Sequence, residues 1–273
     1  MCHWRDLLGI KERRALNRYW RIFATGLLFA IFGLGGVLLT CTLIPILVLT
    51  SDSEIRRKYG KKLLKKSFQS FLWGMQFLGA MNLQIKNIDR LKSGGRLVLA
   101  NHPSLIDAVI LIALIENPNG IIKSSLFNNP SMFGLAKMAG LMRNVEGTEL
   151  IRKAIESITT GDNLIIFPEG TRTKVLGELA FKRGAAYIAI KGGFDITPVL
   201  IVTSEPFLRK DHIWYKVPLN KPLITISVME EIKVATTVRV GKDLILPSEE
   251  LTEYLEEYYL HKLREYERSG IRD

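Results

Sequence analysis

Apolar positions are distributed along the chain in three different ways. Residues 22–51 form a run of thirty residues without a charged side chain. Residues 52–82 carry apolar and aromatic side chains at helical spacing among lysines. From about residue 83 onward, short apolar runs alternate with helical segments. The pattern therefore predicts a membrane-embedded element, an amphipathic helix and an α/β domain, in that order.

The uncharged run, residues 22–51, is long enough to cross a bilayer, because a hydrocarbon core of about 30 Å needs roughly 20 helical residues. Gly33, Gly35 and Gly36 lie in its middle and Pro45 lies beyond them. Two shorter helices forming a re-entrant hairpin are one interpretation, a single tilted span is the second, and a buried helix of a soluble protein is the third. Basic residues flank both ends of the run, which favours the hairpin because both ends then lie on one side.

The next segment, residues 52–82, is both basic and apolar. Lys61, Lys62, Lys65 and Lys66 surround a pair of leucines, and phenylalanine and methionine follow at helical spacing. Such a segment predicts an interfacial helix on a lipid surface. A helix that packs on the domain by its Phe/Met face, with the lysines in water, is a compatible alternative.

The remainder of the chain predicts βαβ units. Strands are predicted at residues 96–100, 120–122, 163–167 and 196–202. Helices are predicted at residues 108–115, 132–139, 149–159 and 184–190, with Thr148 as the cap of the third. This alternation is typical of an α/β fold in which a mostly parallel sheet is flanked by helices.

Two further features complete the predicted organisation. Residues 212–217 and 223–228 resemble a later, antiparallel strand pair, and Ser248 is expected to cap a final helix that ends near Glu267. We therefore expect a basic N-terminus and membrane anchor at 1–51, a basic amphipathic interfacial helix at 52–82, an α/β domain at 83–247 and a C-terminal helix at 248–273.

Charge and cysteine content narrow the class of protein. Residues 1–66 hold 13 Lys/Arg and 4 Asp/Glu, whereas the other 207 residues hold 25 and 23, within a formal net charge of +11. Because the excess flanks the apolar run, it points to membrane lipids as partners and not to nucleic acid. The two cysteines, Cys2 and Cys41, are too far apart in sequence for a CxxC metal site, and they exclude a disulfide framework.

A histidine and an aspartate follow the first predicted strand of the domain. His102 comes two residues after that strand, and Asp107 follows five residues later, near the start of a helix. Such a histidine can act as a general base while the carboxylate orients it and stabilises its charged form. No Ser-His-Asp spacing accompanies the pair, so the nucleophile would be an external hydroxyl. Alone, the spacing is also compatible with a surface or core histidine.

A second polar motif follows the strand at 163–167. It reads Phe-Pro-Glu-Gly-Thr-Arg from residue 167 to residue 172. Gly170 permits a tight turn, and the guanidinium of Arg172 can make bidentate contacts with phosphate.

Together, the two motifs resemble those of the glycerolipid acyltransferase family, which includes lysophosphatidic acid and other lysophospholipid acyltransferases. They occur in that family's order, about 65 residues apart, and Phe-Pro-Glu-Gly-Thr-Arg matches its block residue for residue. Phe-Lys-Arg-Gly-Ala at 181–185 and Ile-Thr-Pro-Val at 196–199 match two further family segments. The resemblance covers about residues 83–205.

The resemblance implies a role for each motif residue. His102 would deprotonate the acceptor hydroxyl, and Asp107 would orient His102. The acceptor pocket would be formed by Glu169, Gly170, Thr171 and Arg172, with Arg172 on the acceptor phosphate.

Two more basic residues are weaker matches to the family's phosphate-binding positions. The family has a glycine followed several residues later by an arginine, and here Gly140 and Arg143 form a compressed version. A surface salt bridge is the alternative for Arg143. Lys123, after its strand, would add to the basic pocket or stand as a solvated lysine.

The implied activity is acyl transfer from acyl-CoA or acyl carrier protein to a lysophospholipid. The first-ranked acceptor is 1-acylglycerol-3-phosphate, giving phosphatidic acid; lyso-ornithine lipid or another hydroxylated lipid is the alternative. No metal and no retained cofactor are expected, because the thioester is consumed as cosubstrate. The location would be a membrane, at the cytoplasmic face of the inner membrane in a bacterium. A non-catalytic lipid-binding protein and a thioesterase, in which His102 activates water, are the rival classes.

Overall fold

The fold is a mixed α/β sheet with helices on both faces, preceded by a long helix. The computed structural model describes residues 2–49, 52–145, 147–173, 179–210, 212–238 and 245–269. The helices are α1 Cys2–Leu49, α2 Ser53–Phe77, α3 Asp107–Leu114, α4 Pro130–Ala139, α5 Thr148–Thr159, α6 Gly184–Gly192, α7 Val234–Thr237 and α8 Ile245–Arg268. The strands are β1 Asn82–Lys86, β2 Leu97–Ala100, β3 Pro118–Ile122, β4 Met142–Arg143, β5 Asn163–Ile166, β6 Ile196–Thr203 and β7 Leu223–Val228. Two 3₁₀ helices lie at Ile88–Leu91 and Ser124–Asn128.

Within the described ranges the seven strands form one sheet in the order β1-β7-β6-β2-β5-β3-β4. Strands β6, β2, β5, β3 and β4 run parallel, and β7 pairs with β6 in the antiparallel sense. The mostly parallel sheet predicted from sequence is therefore confirmed. The carboxyl ends of β6, β2, β5, β3 and β4 share one edge, which is where ligands bind in open α/β sheets.

Sequence reasoning was wrong at several element boundaries. Residues 212–217 form no strand but a turn-containing loop, and β7 pairs with β6 instead. Gly147, not Thr148, is the N-cap of α5. Ser248 lies within the first turn of α8, where its hydroxyl donates to the carbonyl of Ile245 at 2.7 Å. Strands β1 and β4 were not predicted.

Apolar residues fill both faces of the sheet. On one face, α2, α3 and α4 pack on a cluster that includes Met75, Ile110 and Leu135. On the other face, α5, α6 and α8 cover a second cluster that includes Ile158 and Leu255. Because the central strand β2 is buried on both faces, its residues read as a continuous apolar run, as expected for a parallel sheet.

Helices α1 and α2 lie antiparallel against each other. Phe29 of α1 packs on Phe71, and Phe32, further along α1, packs on Phe68, which lies earlier in α2. The indole Nε1 of Trp20 donates to the carbonyl of Leu78, just beyond the end of α2, at 2.9 Å. The two helices together therefore make a helical pair on the α2–α4 face of the domain.

The hairpin expected within residues 22–51 is wrong, because α1 continues without a break through its glycines and through Pro45. Of the three glycines, Gly36 serves close packing, whereas a Cβ at Gly35 would meet nothing within 4 Å. A Cβ at Gly36 would collide with the carbonyl of Ser131 in α4, and one at Gly134 would lie 2.8 Å from the Cα of Thr40. Glycine thus lets α1 and α4 approach at backbone distance.

The outer face of α1 is exposed and apolar. Residues Leu16–Leu43 are long and apolar enough to cross a membrane, and only 17% of the apolar window is buried in the protein. The third interpretation of this segment, a buried helix of a soluble protein, does not fit this exposed face. Its exposed side chains include Tyr19, Phe23, Ile31 and Leu38.

The lysines of α2 divide between protein and solvent. Lys61 is buried and forms an ion pair with Asp162, whereas Lys65 pairs with Glu116. Lys62 and Lys66 are exposed. The Phe/Met face packs on the domain, as the alternative interpretation of this helix had it, and the prediction that all four lysines meet lipid is wrong for Lys61.

The Lys61–Asp162 pair connects α2 to the start of β5. Asp162 also accepts hydrogen bonds from Ser157 at 2.7 Å and from Asn119 at 3.3 Å, and Arg57 lies 3.4 Å away. The buried carboxylate is thus fully surrounded by donors, as a buried charge must be.

Asp162→Ala should destabilise the fold strongly, because it leaves the Lys61 ammonium buried without its partner. Removing one member of a buried ion pair costs about 3–5 kcal/mol. Asp89→Ala, which breaks an exposed pair with Lys92, is the matched control and should change the free energy of unfolding little, because exposed ion pairs contribute little to stability. Denaturant unfolding of both variants measures the difference, and equal losses would contradict the role assigned to Asp162.

Candidate active site

The site lies at the carboxyl end of β2, where the chain leaves the centre of the sheet. Asn101 is buried there, and its side-chain amide bridges to β6 by donating to the carbonyl of Ile201 and accepting from its N–H, both at 2.8 Å. This pair of bonds continues the sheet by one residue beyond β2. The backbone that carries His102 is therefore fixed.

His102 and Asp107 are in direct contact. The Nδ1 of His102 lies 2.9 Å from Oδ2 of Asp107, and the His102 side chain is 17% exposed whereas that of Asp107 is fully buried. Since an ionised carboxylate only accepts, Nδ1 carries the proton and Nε2 is left as the basic nitrogen. The predicted pairing of these two residues is thus present in the structure.

Asp107 is held by the loop that precedes α3. The backbone N–H of Ser104 donates to its Oδ2 at 2.6 Å, and the Ser104 hydroxyl donates to Oδ1. Asp107 is also the first residue of α3, so it lies at the positive end of that helix. These interactions stabilise the charged carboxylate and fix its orientation toward His102.

The loop after β5 lies beside the histidine, because β5 is the neighbour of β2. The ring of Phe167 stacks on the imidazole of His102, with centroids 4.1 Å apart. The carboxylate of Glu169 accepts from the His102 backbone N–H at 2.9 Å and from the Thr173 hydroxyl at 3.0 Å. The N–H of Thr173 in turn donates to the His102 carbonyl at 2.8 Å. The two sequence motifs are therefore bonded into one unit.

Burial raises the pKa of the Glu169 carboxyl above its ordinary value, against the hydrogen bonds from His102 and Thr173, which favour the charged form. Glu169 is 8% exposed, and its Oε1 accepts both hydrogen bonds. This oxygen therefore connects the segment of His102 to that of Thr173. Glu169 thus braces the motif that carries His102, in addition to the pocket role that the resemblance implied.

Gly170 and Arg172 shape the same loop. Gly170 has φ +64° and its N–H donates to the Phe167 carbonyl at 3.0 Å, which closes a tight turn. Arg172 uses its Nη1 to donate to the carbonyls of Leu208 and Arg209, both at 3.1 Å. Thr171, between them, is half-buried. Arg172 therefore reaches across the site to the loop that follows β6.

Arg143 and Lys123 lie further along the same edge. They follow or end β4 and β3, the third and second strands from β2 on the β5 side, which puts their strands roughly 14 and 10 Å from β2. The Arg143 guanidinium lies 4.5 Å above the ring of Phe127, and Lys123 is exposed. The structure thus groups His102, Asp107 and the loop after β5, and it places the two other basic residues outside that group.

The roles of three residues of the site were not predicted from the sequence, although Phe167 is part of the second motif. Phe167 stacks on the histidine, Asn101 fixes the strand end, and Ser104 holds the aspartate. Ser104 could have been found, because Ser-x-x-Asp before an apolar helix is a capping-box pattern. Asn101 and Phe167 carry no comparable local signal.

The fold and the site define the class of protein. It is an α/β protein with a His–Asp pair at the carboxyl edge of a mostly parallel sheet, and a long apolar helix precedes the sheet. Residues 82–202 match the family described as Acyltransferase.

Curated relatives are similar to this chain over roughly half its length. A 1-acyl-sn-glycerol-3-phosphate acyltransferase of Borreliella burgdorferi is 27% identical over 57% of this chain and 66% of its own. One of Helicobacter pylori is 31% identical over 47% of this chain and 57% of its own. The chloroplastic enzyme BAT2 of Brassica napus is 27% identical over 46% and 40%, respectively. The chain spans less than two thirds of the length of these relatives.

A solved structure extends the similarity to nearly the whole fold. The crystal structure of the 1-acyl-sn-glycerophosphate acyltransferase from Thermotoga maritima superposes with a TM-score of 0.68 and covers 93% of this chain and 98% of its own, at 21% identity. At that identity the likeness establishes the fold, including the long N-terminal helix.

Proposed function

We propose that the protein transfers a fatty acyl group from an acyl thioester to the hydroxyl of a lysophospholipid, with 1-acylglycerol-3-phosphate as the first-ranked acceptor. The observation that carries the proposal is the 2.9 Å contact between His102 and the buried Asp107, within a segment of the Acyltransferase family. The curated relatives, which are named for this acceptor, support the choice.

In the proposed mechanism His102 is the general base. Its Nε2 takes the proton of the acceptor hydroxyl as the oxygen attacks the thioester carbonyl. The C–S bond then breaks, and the thiolate of CoA or acyl carrier protein takes the proton back from His102. Asp107 stabilises the imidazolium between these two steps and keeps the Nδ1 proton in place.

The membrane role of the proposal rests on α1. Its outer face exposes apolar side chains along the length of the apolar window. The proposed acceptor and the two-chain product are lipids that belong in a membrane. We infer that the enzyme works at a lipid surface, at the cytoplasmic face of the inner membrane if the source is bacterial. The division of the chain at 51, 82 and 247 belongs to the same proposal.

An acceptor panel tests the activity. Purified protein is incubated with labelled acyl-CoA or acyl carrier protein and, separately, with lysophosphatidic acid, a neutral lysophospholipid and lyso-ornithine lipid. We expect labelled phosphatidic acid to form fastest. Labelled product only from lyso-ornithine lipid would move the assignment to that acceptor. Release of free fatty acid without any acceptor would identify a thioesterase, and binding without turnover would leave a lipid-binding protein.

Arg172→Ala separates acceptor binding from loop structure. The variant loses the bonds to the carbonyls of Leu208 and Arg209, so some activity should be lost with every acceptor. If Arg172 also contacts the acceptor phosphate, a charge-assisted contact of this kind adds a loss of about 10- to 150-fold in kcat/KM for phosphorylated acceptors alone.

The measurement compares kcat/KM for lysophosphatidic acid with that for an acceptor lacking a free phosphate. Arg172→Lys is the matched control, since it keeps the charge but loses the planar fork. Equal losses on both acceptors would mean that Arg172 only holds the loop, and the phosphate role would then pass to Arg143 or Lys123.

A further inference from the structure

The loop between β6 and β7 contains an exposed, largely aromatic segment, residues 213–216, which we call the loop tip. Ile213, Trp214 and Tyr215 are 58%, 47% and 50% exposed, and Lys216 is exposed beside them. Three consecutive large apolar side chains at the surface of a loop are costly in water. Exposed apolar clusters of this kind mark interaction sites.

The loop tip is held firmly on α1. The Nε of Arg18 donates to the Val217 carbonyl at 2.9 Å, and Nη2 of Arg21 donates to the carbonyls of Pro218 and Leu219 at 2.9 and 2.6 Å. Val217 itself is buried. The tip is therefore presented at a fixed angle to the helix.

Trp214 packs on α1, so the exposed apolar surface of the loop tip is continuous with that of α1. A Cβ at Gly26 would lie 2.8 Å from the Trp214 ring, so the indole rests directly on the helix backbone. Beside it, Tyr19 and Phe23 of α1 are also exposed. On the α2 side of the helix, Trp73 stacks on Phe77, and both are exposed. Tryptophan and tyrosine are typical of the interface between lipid headgroups and hydrocarbon.

The charges around the tip favour an anionic surface. Residues 209–221 hold four Lys/Arg and one Asp/Glu. Basic residues flanking aromatic side chains are typical of segments that bind anionic bilayers, and each one near the surface adds to the attraction. An acidic carrier protein would also meet the positive charge, but it would not match three consecutive apolar side chains continuous with α1.

The same loop touches the candidate active site. The Leu208 carbonyl, five residues before the tip, accepts from the backbone N–H of Leu105 at 3.0 Å and from Arg172. Leu105 lies between His102 and Asp107 in the sequence. The chain from Leu208 to Ile213 therefore connects the candidate active site to the loop tip.

We propose that the loop tip inserts into the headgroup layer of an anionic phospholipid bilayer, as a membrane contact separate from α1, and holds the mouth of the active site against the lipid surface. A single-chain acceptor then passes from the bilayer to His102 without crossing water. The role of the tip in positioning the active site rests on the proposed function. Its insertion into lipid does not rest on that function and is measured without turnover.

Insertion is tested with a fluorescent label on the full chain in vesicles. In a Cys2→Ser, Cys41→Ser background, Tyr215→Cys carries an environment-sensitive dye. Glu253→Cys, on α8 at the other face of the sheet, is the matched control. Vesicles contain phosphatidylcholine with or without phosphatidylglycerol.

We expect the label at 215 to shift to the blue, to be quenched by nitroxide lipids and to be about 5-fold less accessible to aqueous iodide than the label at 253. Phosphatidylglycerol should strengthen all three effects. Equal iodide access at both positions overturns the proposal. A label at 215 that responds to acyl carrier protein but not to vesicles overturns it as well, in favour of a protein partner.

A second pair of variants measures the consequence for activity. Tyr215→Glu should raise the vesicle concentration needed for half-maximal turnover by about 5- to 10-fold while activity on a soluble short-chain acceptor stays unchanged. Tyr254→Glu, the same change at an exposed tyrosine of α8, should alter neither. If no variant or wild-type protein turns over any acceptor, the proposed function fails, and the label still decides insertion. An unchanged vesicle dependence in Tyr215→Glu contradicts the docking role.

Discussion

His102→Ala should abolish acyl transfer while leaving the fold and membrane association intact. The imidazole lies at the end of β2 and is 17% exposed, so its removal takes away the proposed base without emptying the core. General-base catalysis contributes about 10²–10⁴-fold, and in the related His-dependent acyl transfers its loss is near the upper end. Turnover of labelled acyl donor with lysophosphatidic acid measures the effect.

The control for this variant is His261→Ala. His261 is exposed on α8, 3.4 Å from Glu265, and its replacement should not change turnover. If the His102→Ala protein folds and keeps near-native turnover, His102 is not the base and the mechanism is wrong.

Asp107→Asn should lower kcat by about 10²–10⁴-fold, with a smaller change in KM, because the amide cannot stabilise the imidazolium and can donate to Nδ1. The wrong tautomer would then place a proton on Nε2, where the acceptor hydroxyl needs a base. Steady-state kinetics at several acceptor concentrations separate kcat from KM.

The loss expected for Asp107→Asn has to be distinguished from a loop that has merely lost its shape. Ser104→Ala removes the hydroxyl that donates to Asp107 but keeps the carboxylate, so it should cost less than about 10-fold. Thermal unfolding of both variants checks the fold. Similar kinetic losses in the two variants would indicate that Asp107 acts by holding the loop and not by its charge.

Much of the fold was predictable because its signals are local. The strands β2, β5 and β6 are continuous apolar runs, and α5 has an apolar stripe at helical spacing. The adjacency of His102 and Asp107 followed from the motif, since only four residues lie between them. That Glu169 lies near them was implied by the family resemblance, whereas the order of the strands was not predicted.

The failures share a different cause, which is that the deciding partner is distant in sequence. Lys61 was expected at a lipid surface, but its partner Asp162 lies about 100 residues later. Residues 212–217 are rich in aromatic and β-branched side chains, which favour a strand. Arg18 and Arg21 of α1 nevertheless donate to carbonyls of the residues that follow the tip. Arg172 was assigned to phosphate, and its bonds to the loop after β6 could not be read from its own motif.

The backbone contact between α1 and α4 packs the long apolar helix directly on the α/β domain. Gly36 lies against the carbonyl of Ser131, and Gly134 lies against Thr40, whose hydroxyl accepts from the Gly134 N–H at 3.1 Å. Under the proposed function, the depth and tilt of α1 in a bilayer also set the position of the domain that packs on it. An unrelated membrane helix grafted in place of α1 would then keep attachment but lose this alignment.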